Sequence, residues 1–217
     1  MLNIAIPKGY LLKSTAKILE KAGYDISCFS EDNRKLCVFS KKDHIKYIIS
    51  RPMDVPVYVE YGACDVGFAG KDVLEERESN VFELLDLNTG YCRLIVATLK
   101  DCKEKVKEHY EHFGLIRVGT KYTNIAKRYF ESKGMQMEMI KLHGSVELAP
   151  ILGIADEIVD ITATGSTMKE NNLVEMEHIM DSTTRLIANS VSYRVKYARI
   201  NNFINHIKKI IKDEKSI

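Results

Sequence analysis

The sequence predicts an α/β fold of two lobes with a cleft between them, and three observations carry that reading. Short apolar runs alternate with segments of helical spacing, the pattern of parallel strands joined by crossover helices. That pattern occurs twice: IAIPKGYLLKSTAKILEKAG (Ile4–Gly23) and IRVGTKYTNIAKRYFESKG (Ile116–Gly134) each run strand, turn, helix and terminal glycine. YGACDVGFAGKDVL (Tyr61–Leu74) and LGIADEIVDITATGSTM (Leu152–Met168) form a second repeat, in which G-x-[CA]-D enters a strand that ends in a glycine-containing turn. A chain of 217 residues, 45% hydrophobic and 29% charged, has the length and composition to build such a pair of cores.

Taken in order, Leu2–Ile6 is a short apolar run and reads as a buried strand, with Pro7-Lys8-Gly9 turning the chain. Ala16, Ile18, Leu19 and Ala22 follow at helical spacing, and Gly23 sits where a helix stops. Leu36–Phe39 and Tyr47–Ile49 read as strands, Val55–Tyr61 as a helix before Gly62, Asp65–Ala69 as a strand, and Asp72–Glu76 as the start of a helix. In the second half, Met135, Met137 and Met139 alternate as in a strand and are expected to pack in a core. Cys92–Lys100 and Thr184–Tyr193 alternate apolar and polar residues and are expected to be extended crossings between the lobes. The terminal segment puts Ile200, Phe203, Ile204, Ile207, Ile210 and Ile211 on one helical face, which is expected to return to the first lobe. The expected boundaries are 1–90 plus 184–217 for the first lobe and 91–183 for the second.

Composition narrows the function. With 32 Lys+Arg against 30 Asp+Glu, the net charge of +2 argues against a dedicated nucleic-acid binder. The opening MLNIAIPKG has neither a basic leader nor an apolar core of a secretory signal, and no run approaches the roughly 18 apolar residues of a membrane span. A cytoplasmic protein without membrane partners is expected. The cysteines Cys28, Cys37, Cys64, Cys92 and Cys102 are odd in number and contain no C-x-x-C pair, so they read as reduced thiols. His109 and His112 lie in the charged segment KEKVKEHYEHFG and read as a solvated helix face rather than a metal site.

The chemistry concentrates in EIVDITATGSTM, Glu157–Met168. A strand ends near Asp160–Ile161, a hydroxyl-rich loop follows, and a helix begins near Ser166–Thr167. Backbone N–H groups at a helix start and the hydroxyls of Thr162, Thr164, Ser166 and Thr167 suit a phosphate, Ala163 and Gly165 keep the loop small, and Asp160 suits ribose hydroxyls. The same residues also read as a simply capped loop, since Thr164 and Ser166 are good helix caps.

The stretch ELAPILGIADEIVDITATGSTM (Glu147–Met168) resembles the signature of the ATP phosphoribosyltransferase family. Similar stretches extend over nearly the whole chain: Pro7-Lys8-Gly9, Arg34-Lys35-Leu36, RPMDVPVYVEYGACDVGFAGKDVL (Arg51–Leu74), IKLHGSVELAP (Ile140–Pro150) and NSVSYR (Asn189–Arg194). One departure is Tyr10, where family members often carry a basic residue. The resemblance implies a two-lobed fold like the type II periplasmic binding proteins. It implies attack of N1 of ATP on C1 of phosphoribosyl pyrophosphate, with Mg²⁺ chelated by the substrate. Glu147, Asp160 and Thr162, Ala163, Thr164, Gly165, Ser166 and Thr167 would hold phosphoribosyl pyrophosphate. Arg51 and Arg34 would act on the departing pyrophosphate, Arg34 from across a dimer interface. Lys8, Gly9, Gly70 and Lys71 would meet the nucleotide. Tyr58, Tyr61 and Tyr91 read as packing residues before adenine stackers. The chain is similar to the family's short form, which implies a homodimer when alone and a hetero-oligomer with a regulatory subunit resembling histidyl-tRNA synthetase. A non-catalytic two-lobed solute-binding protein is the competing class.

Overall fold

The computed structural model describes residues 1–29 and 35–215. The chain forms two compact units, Met1–Gly90 with Thr183–Ile217, and Tyr91–Ser182. The first unit contains β1 (Leu2–Pro7), α1 (Tyr10–Lys21), β2 (Cys37–Ser40), β3 (Ile45–Ser50), α2 (Val55–Glu60), β4 (Val66–Gly70), α3 (Lys71–Arg77) and β5 (Phe82–Asp86). The second contains β6 (Cys92–Leu99), α4 (Lys103–Phe113), β7 (Ile116–Thr120), α5 (Thr123–Ser132), β8 (Met137–Lys141), α6 (Leu148–Ile151), β9 (Glu157–Thr162), α7 (Ser166–Glu170) and β10 (Leu173–Ser182). The chain then re-enters the first unit as β11 (Thr184–Ala188), α8 (Ser190–Val195) and α9 (Tyr197–Lys215).

Each unit is built on one mixed sheet. The orders are β2-β3-β1-β4-β11-β5 and β10-β6-β9-β7-β8. In the first, β1 runs parallel to β3 and β4, and β11 runs antiparallel to β4 and β5. In the second, β7 runs parallel to β8 and β9, and β6 runs antiparallel to β9 and β10. The series β3-β1-β4-β11-β5 therefore corresponds strand for strand to β8-β7-β9-β6-β10. The repeat read from the sequence is real in the fold, but the sheets are not purely parallel.

The G-x-[CA]-D element does the same work in both copies. Gly62 and Gly153 both take positive φ, 72° and 71°, and each ends a short helix. Asp65 and Asp156 then clamp the entrances of the corresponding strands β1 and β7. The Asp65 N–H donates to Asn3 O (2.9 Å) while the Asn3 N–H donates to its carboxylate (2.8 Å). The Asp156 N–H donates to Arg117 O (2.8 Å) while the Arg117 N–H donates to its carboxylate (2.9 Å). Each carboxylate has a cation as well, Lys196 at 2.8 Å for Asp65 and Arg117 at 2.8 Å for Asp156.

The parallel strands are buried on both faces and so read as continuous apolar runs. Ile4, Ile6, Tyr47, Val66 and Phe68 form the heart of the first core with Leu19 of α1. Ile200, Phe203, Ile204, Ile207 and Ile211 of α9 complete it, so the terminal helix does return to this unit. Leu94, Val118, Tyr122, Phe130 and Val159 form the second core, with Met135, Met137 and Met139 packed against it. Each unit has a smaller cluster on its other sheet face, around Val55, Val59 and Ile187 in the first and Ile95, Ala149 and Ile158 in the second. Among the described residues no helix is long and apolar enough to cross a membrane.

One local expectation is corrected. Thr184–Tyr193 is not one extended crossing: β11 ends at Ala188, and Asn189 accepts the N–H groups of Val191 and Ser192 to cap α8. Nor does β6 bridge the units, because its whole length pairs with β9 and β10 inside the second.

Glu157, at the start of β9, is only 7% exposed, and burial pushes its carboxyl up to about 7, with the Asp156 charge adding and Lys133 opposing. Because the folded pKa lies above the unfolded one, the unfolded chain loses its proton first as pH rises. The stability this residue contributes at low pH is therefore lost between about pH 4.5 and 7. Glu157→Gln is expected to abolish that slope and to raise stability at pH 8 by about 1–2 kcal/mol, the buried amide retaining some cost. Urea unfolding of both proteins across this pH range checks it; parallel curves would show that Glu157 titrates normally.

Candidate functional site

The second unit places its hydroxyl-rich loop at the carboxyl end of β9, the sheet edge where open α/β folds bind ligands. Glu147, Asp160 and the run Thr162–Thr167 line one cavity of about 170 Å³, together with Ile95, Ala97, Ile158, Ile161 and Met168. The eight residues singled out for a phosphoribosyl ligand are thus brought together. No lysine or arginine is among the lining residues.

Local bonding explains the loop's shape. The Gly165 N–H donates to Thr162 Oγ1 at 3.0 Å, and Gly165 takes φ +75° to open α7. The Ser166 N–H donates to Thr164 Oγ1 at 3.4 Å, and the two hydroxyls of Thr164 and Ser166 lie 3.0 Å apart. Both the capped-loop reading and the ligand reading therefore hold some of the same atoms. The hydroxyl hydrogen of Thr162, one of the two hydroxyl hydrogens of the Thr164–Ser166 pair and the later first-turn N–H groups of α7 remain as donors for an anion.

Asp160 is largely buried, and burial pushes its carboxyl above the usual range; Lys121, with Nζ 3.7 Å from Oδ1, and the Ile161 N–H, 2.8 Å from Oδ1, oppose that shift, while Glu147 adds to it. Lys121 is a residue the sequence reading passed over. Its signal was available in the repeat: Lys8 and Lys121 are each the first residue after the corresponding strands β1 and β7.

The remaining candidates lie in the first unit. Lys8, Gly9, Arg51, Gly70 and Lys71 all sit at the carboxyl ends of the parallel strands β1, β3 and β4. The Lys8 N–H donates to Ser50 O at 2.8 Å, which sets Lys8 beside the root of Arg51. Arg51 is exposed and extended (φ −64°, ψ 145°) ahead of Pro52. Gly9 takes φ +77° before α1, and Gly70 is buried. The Lys71 ammonium is engaged by Glu83 (2.9 Å) and Glu75 (3.0 Å), so reaching a nucleotide would require it to leave both. Arg34 lies outside the described residues. Tyr10 opens α1 and is exposed, and Tyr58, Tyr61 and Tyr91 are exposed rather than packed, Tyr61 by 83%.

Gly165 offers a direct test of the loop. A Cβ there would meet no protein atom within 4 Å, but its backbone lies in the left-handed region that a β-branched residue resists. Gly165→Val is expected to weaken phosphoribosyl pyrophosphate binding by about tenfold or more while the units stay folded. Calorimetric titration checks this, and unchanged affinity in a folded variant would remove the loop from the site.

The second unit thus gathers two carboxylates and a hydroxyl-rich loop at the carboxyl edge of its sheet. Comparison with known proteins narrows the class. The family profile of HisG, ATP phosphoribosyltransferase, matches residues 51–209. The ATP phosphoribosyltransferase of Bacillus licheniformis is 47% identical over 215 residues, covering 99% of this chain and 98% of that one. Among solved structures, the ATP phosphoribosyl transferase (HisG:HisZ) complex from Thermotoga maritima superposes with a TM-score of 0.82 at 37% identity, covering 98% of this chain and 100% of that one. The fold reaches further: Tv2483 bound to L-arginine matches with a TM-score of 0.64 at 11% identity over 99% of this chain and 85% of that one. That last likeness is one of fold alone, a two-lobed architecture like the periplasmic binding proteins. The chain belongs to the ATP phosphoribosyltransferase family, and matches relatives of its own short length from end to end. It is a transferase of the glycosyltransferase type, acting at the first step of histidine biosynthesis.

Proposed function

We propose that this protein transfers the 5-phosphoribosyl group of phosphoribosyl pyrophosphate to N1 of ATP, releasing pyrophosphate. The observation that carries this reading is the single cavity lined by Glu147, Asp160 and Thr162–Thr167. Its hydroxyls and N–H groups suit the 5-phosphate, and its carboxylates suit the ribose hydroxyls. A ring nitrogen has a free lone pair, so the attack on C1 needs no base and no protein nucleophile. The C1–O bond to pyrophosphate breaks as the N1–C1 bond forms, and the leaving group takes the bonding pair. Catalysis then rests on aligning the two substrates and stabilising the charge on the leaving group. Arg51 supplies a guanidinium for that charge, and Arg34 a second from a partner protomer. Mg²⁺ enters as part of the substrate, chelated by the diphosphate. Lys8, Gly9, Gly70 and Lys71 hold the nucleotide. The reaction is cytoplasmic.

A purely solute-binding role is not favoured, because the amino-acid-bound neighbour shares 11% identity while the transferase relative shares 47%. The Thermotoga relative was solved as a HisG:HisZ complex, which supports a regulatory partner for this chain too. A homodimer is the assembly proposed for the chain alone. Histidine inhibition would then be a coupling between two chains, each ligand biasing an assembly the other also binds. The test is a spectroscopic assay for phosphoribosyl-ATP from both substrates, run with and without the partner. Product formation in either condition supports the reading, and none in both would overturn it. Strong histidine inhibition of the isolated chain would refute the two-chain control.

A further inference from the structure

The cavity presents a charge problem. A phosphorylated sugar must enter a site lined by two carboxylates and by no lysine or arginine. A counter-charge stands beside one of those carboxylates, with Lys121 Nζ 3.7 Å from Asp160 Oδ1.

The local structure fixes Lys121 in that place. It follows β7, whose last residue, Thr120, pairs with Val159 of β9, the residue before Asp160. Thr120 is fully buried, and its hydroxyl is used in both directions: it donates to Val159 O at 2.6 Å and accepts the Tyr122 N–H at 2.8 Å. Leu142 N–H donates to Thr120 O at 2.9 Å, tying β8 to the same point. The backbone on both sides of Lys121 is therefore bonded to buried partners. Its ammonium lies 4.9 Å from the centroid of the buried Tyr122 ring, so the same charge meets both the ring and the Asp160 carboxylate. On Asp160, Lys121 and the Ile161 N–H both approach Oδ1, leaving Oδ2 as the acceptor for a hydroxyl.

We propose that Lys121 is a positioning residue for the phosphoribosyl reaction, holding Asp160 ionised and oriented so that Oδ2 accepts from the ribose hydroxyls. The inference rests on the reading of the cavity as the phosphoribosyl site. The charged groups acting on Asp160 are Lys121, after β7, and Glu147, ahead of α6; the facing β6 residue, Ile95, carries no charge. Glu147 and burial both favour the protonated carboxyl, and a protonated Asp160 loses the acceptor strength that two ribose hydroxyls need. Lys121 is the side-chain cation that opposes them.

The test is calorimetric titration of the intact protein with Mg²⁺-phosphoribosyl pyrophosphate from pH 6 to 8.5. Lys121→Met should raise the Asp160 pKa, so affinity falls by about tenfold or more at pH 6 and recovers to within about threefold of wild type at pH 8.5. Lys121→Arg, which retains the charge, should keep the wild-type profile. In an Asp160→Asn background, already weakened at every pH, Lys121→Met should cost little more, because the group it acts through is gone. A uniform loss at all pH values would mean that Lys121 meets the phosphates directly, and would overturn the positioning role. So would equal behaviour of the Met and Arg variants, or full additivity with Asp160→Asn. If Asp160→Asn itself binds normally, the ribose reading of Asp160 fails, a result distinct from any failure at Lys121.

Discussion

Arg51→Ala is expected to lower kcat by about 10²–10³ while KM for phosphoribosyl pyrophosphate changes far less. The expectation follows from how the residue is mounted and from the proposed chemistry. Arg51 directly follows β3, its backbone is extended ahead of Pro52, and its neighbour Ser50 is bonded to Lys8. The grip of its guanidinium strengthens as negative charge develops on departing pyrophosphate. An interaction made mainly in the transition state shows itself in kcat. Steady-state kinetics with both substrates varied will decide. A raised KM with native kcat would recast Arg51 as a binding residue for the ground state.

Asp65→Ala is expected to destabilise the first unit by about 3 kcal/mol. The Asp65 side chain is 4% exposed and accepts from the Asn3 N–H, the Ser192 hydroxyl and Lys196, each at 2.8 Å. Burial would raise its pKa, but the bonds from Lys196, Asn3 and Ser192 outweigh it and hold the carboxyl below the usual range. A depressed pKa contributes stability that is present above the unfolded value near 3.9 and lost as pH falls through the folded one. Removing the carboxylate leaves a part-buried N–H and a part-buried hydroxyl to find water, while the more exposed Lys196 turns outward. Chemical denaturation followed by circular dichroism at pH 7 measures the effect, and a loss below about 1 kcal/mol would mean the clamp is replaceable.

The loop Thr162–Thr167 was legible because strand end, hydroxyls, glycine and helix start are consecutive. The inward face of α9 was legible for the same reason, a period carried by neighbouring residues. β5 and β10 were not. β5 does not alternate, two exposed residues being followed by three half-buried ones, and β10 is interrupted by two register shifts, so neither holds a period of two. Lys121 and Asp160 are 39 positions apart, and only the β7–β9 pairing makes them neighbours. The repeat pointed to two similar units but hid their antiparallel strands, since β11 of the first unit arrives after the whole of the second. Arg34 lies outside the described residues, and its role rests on the resemblance.

That late arrival dictates an order of assembly during synthesis. On the ribosome the chain emerges from its amino end, and domains generally fold as units as they appear. Tyr91–Ser182 is one uninterrupted stretch and can complete its sheet as soon as it is out. The other unit cannot, because β11 inserts between β4 and β5, and α9 covers the face formed by Ile4, Ile6 and Phe68. Until residues 184–215 have been made, β5 has no strand beside it and that apolar face stands open to water. The unit begun first is the one finished last. A nascent chain stalled before β11 would therefore present a folded distal unit behind an unfinished, chaperone-binding proximal one.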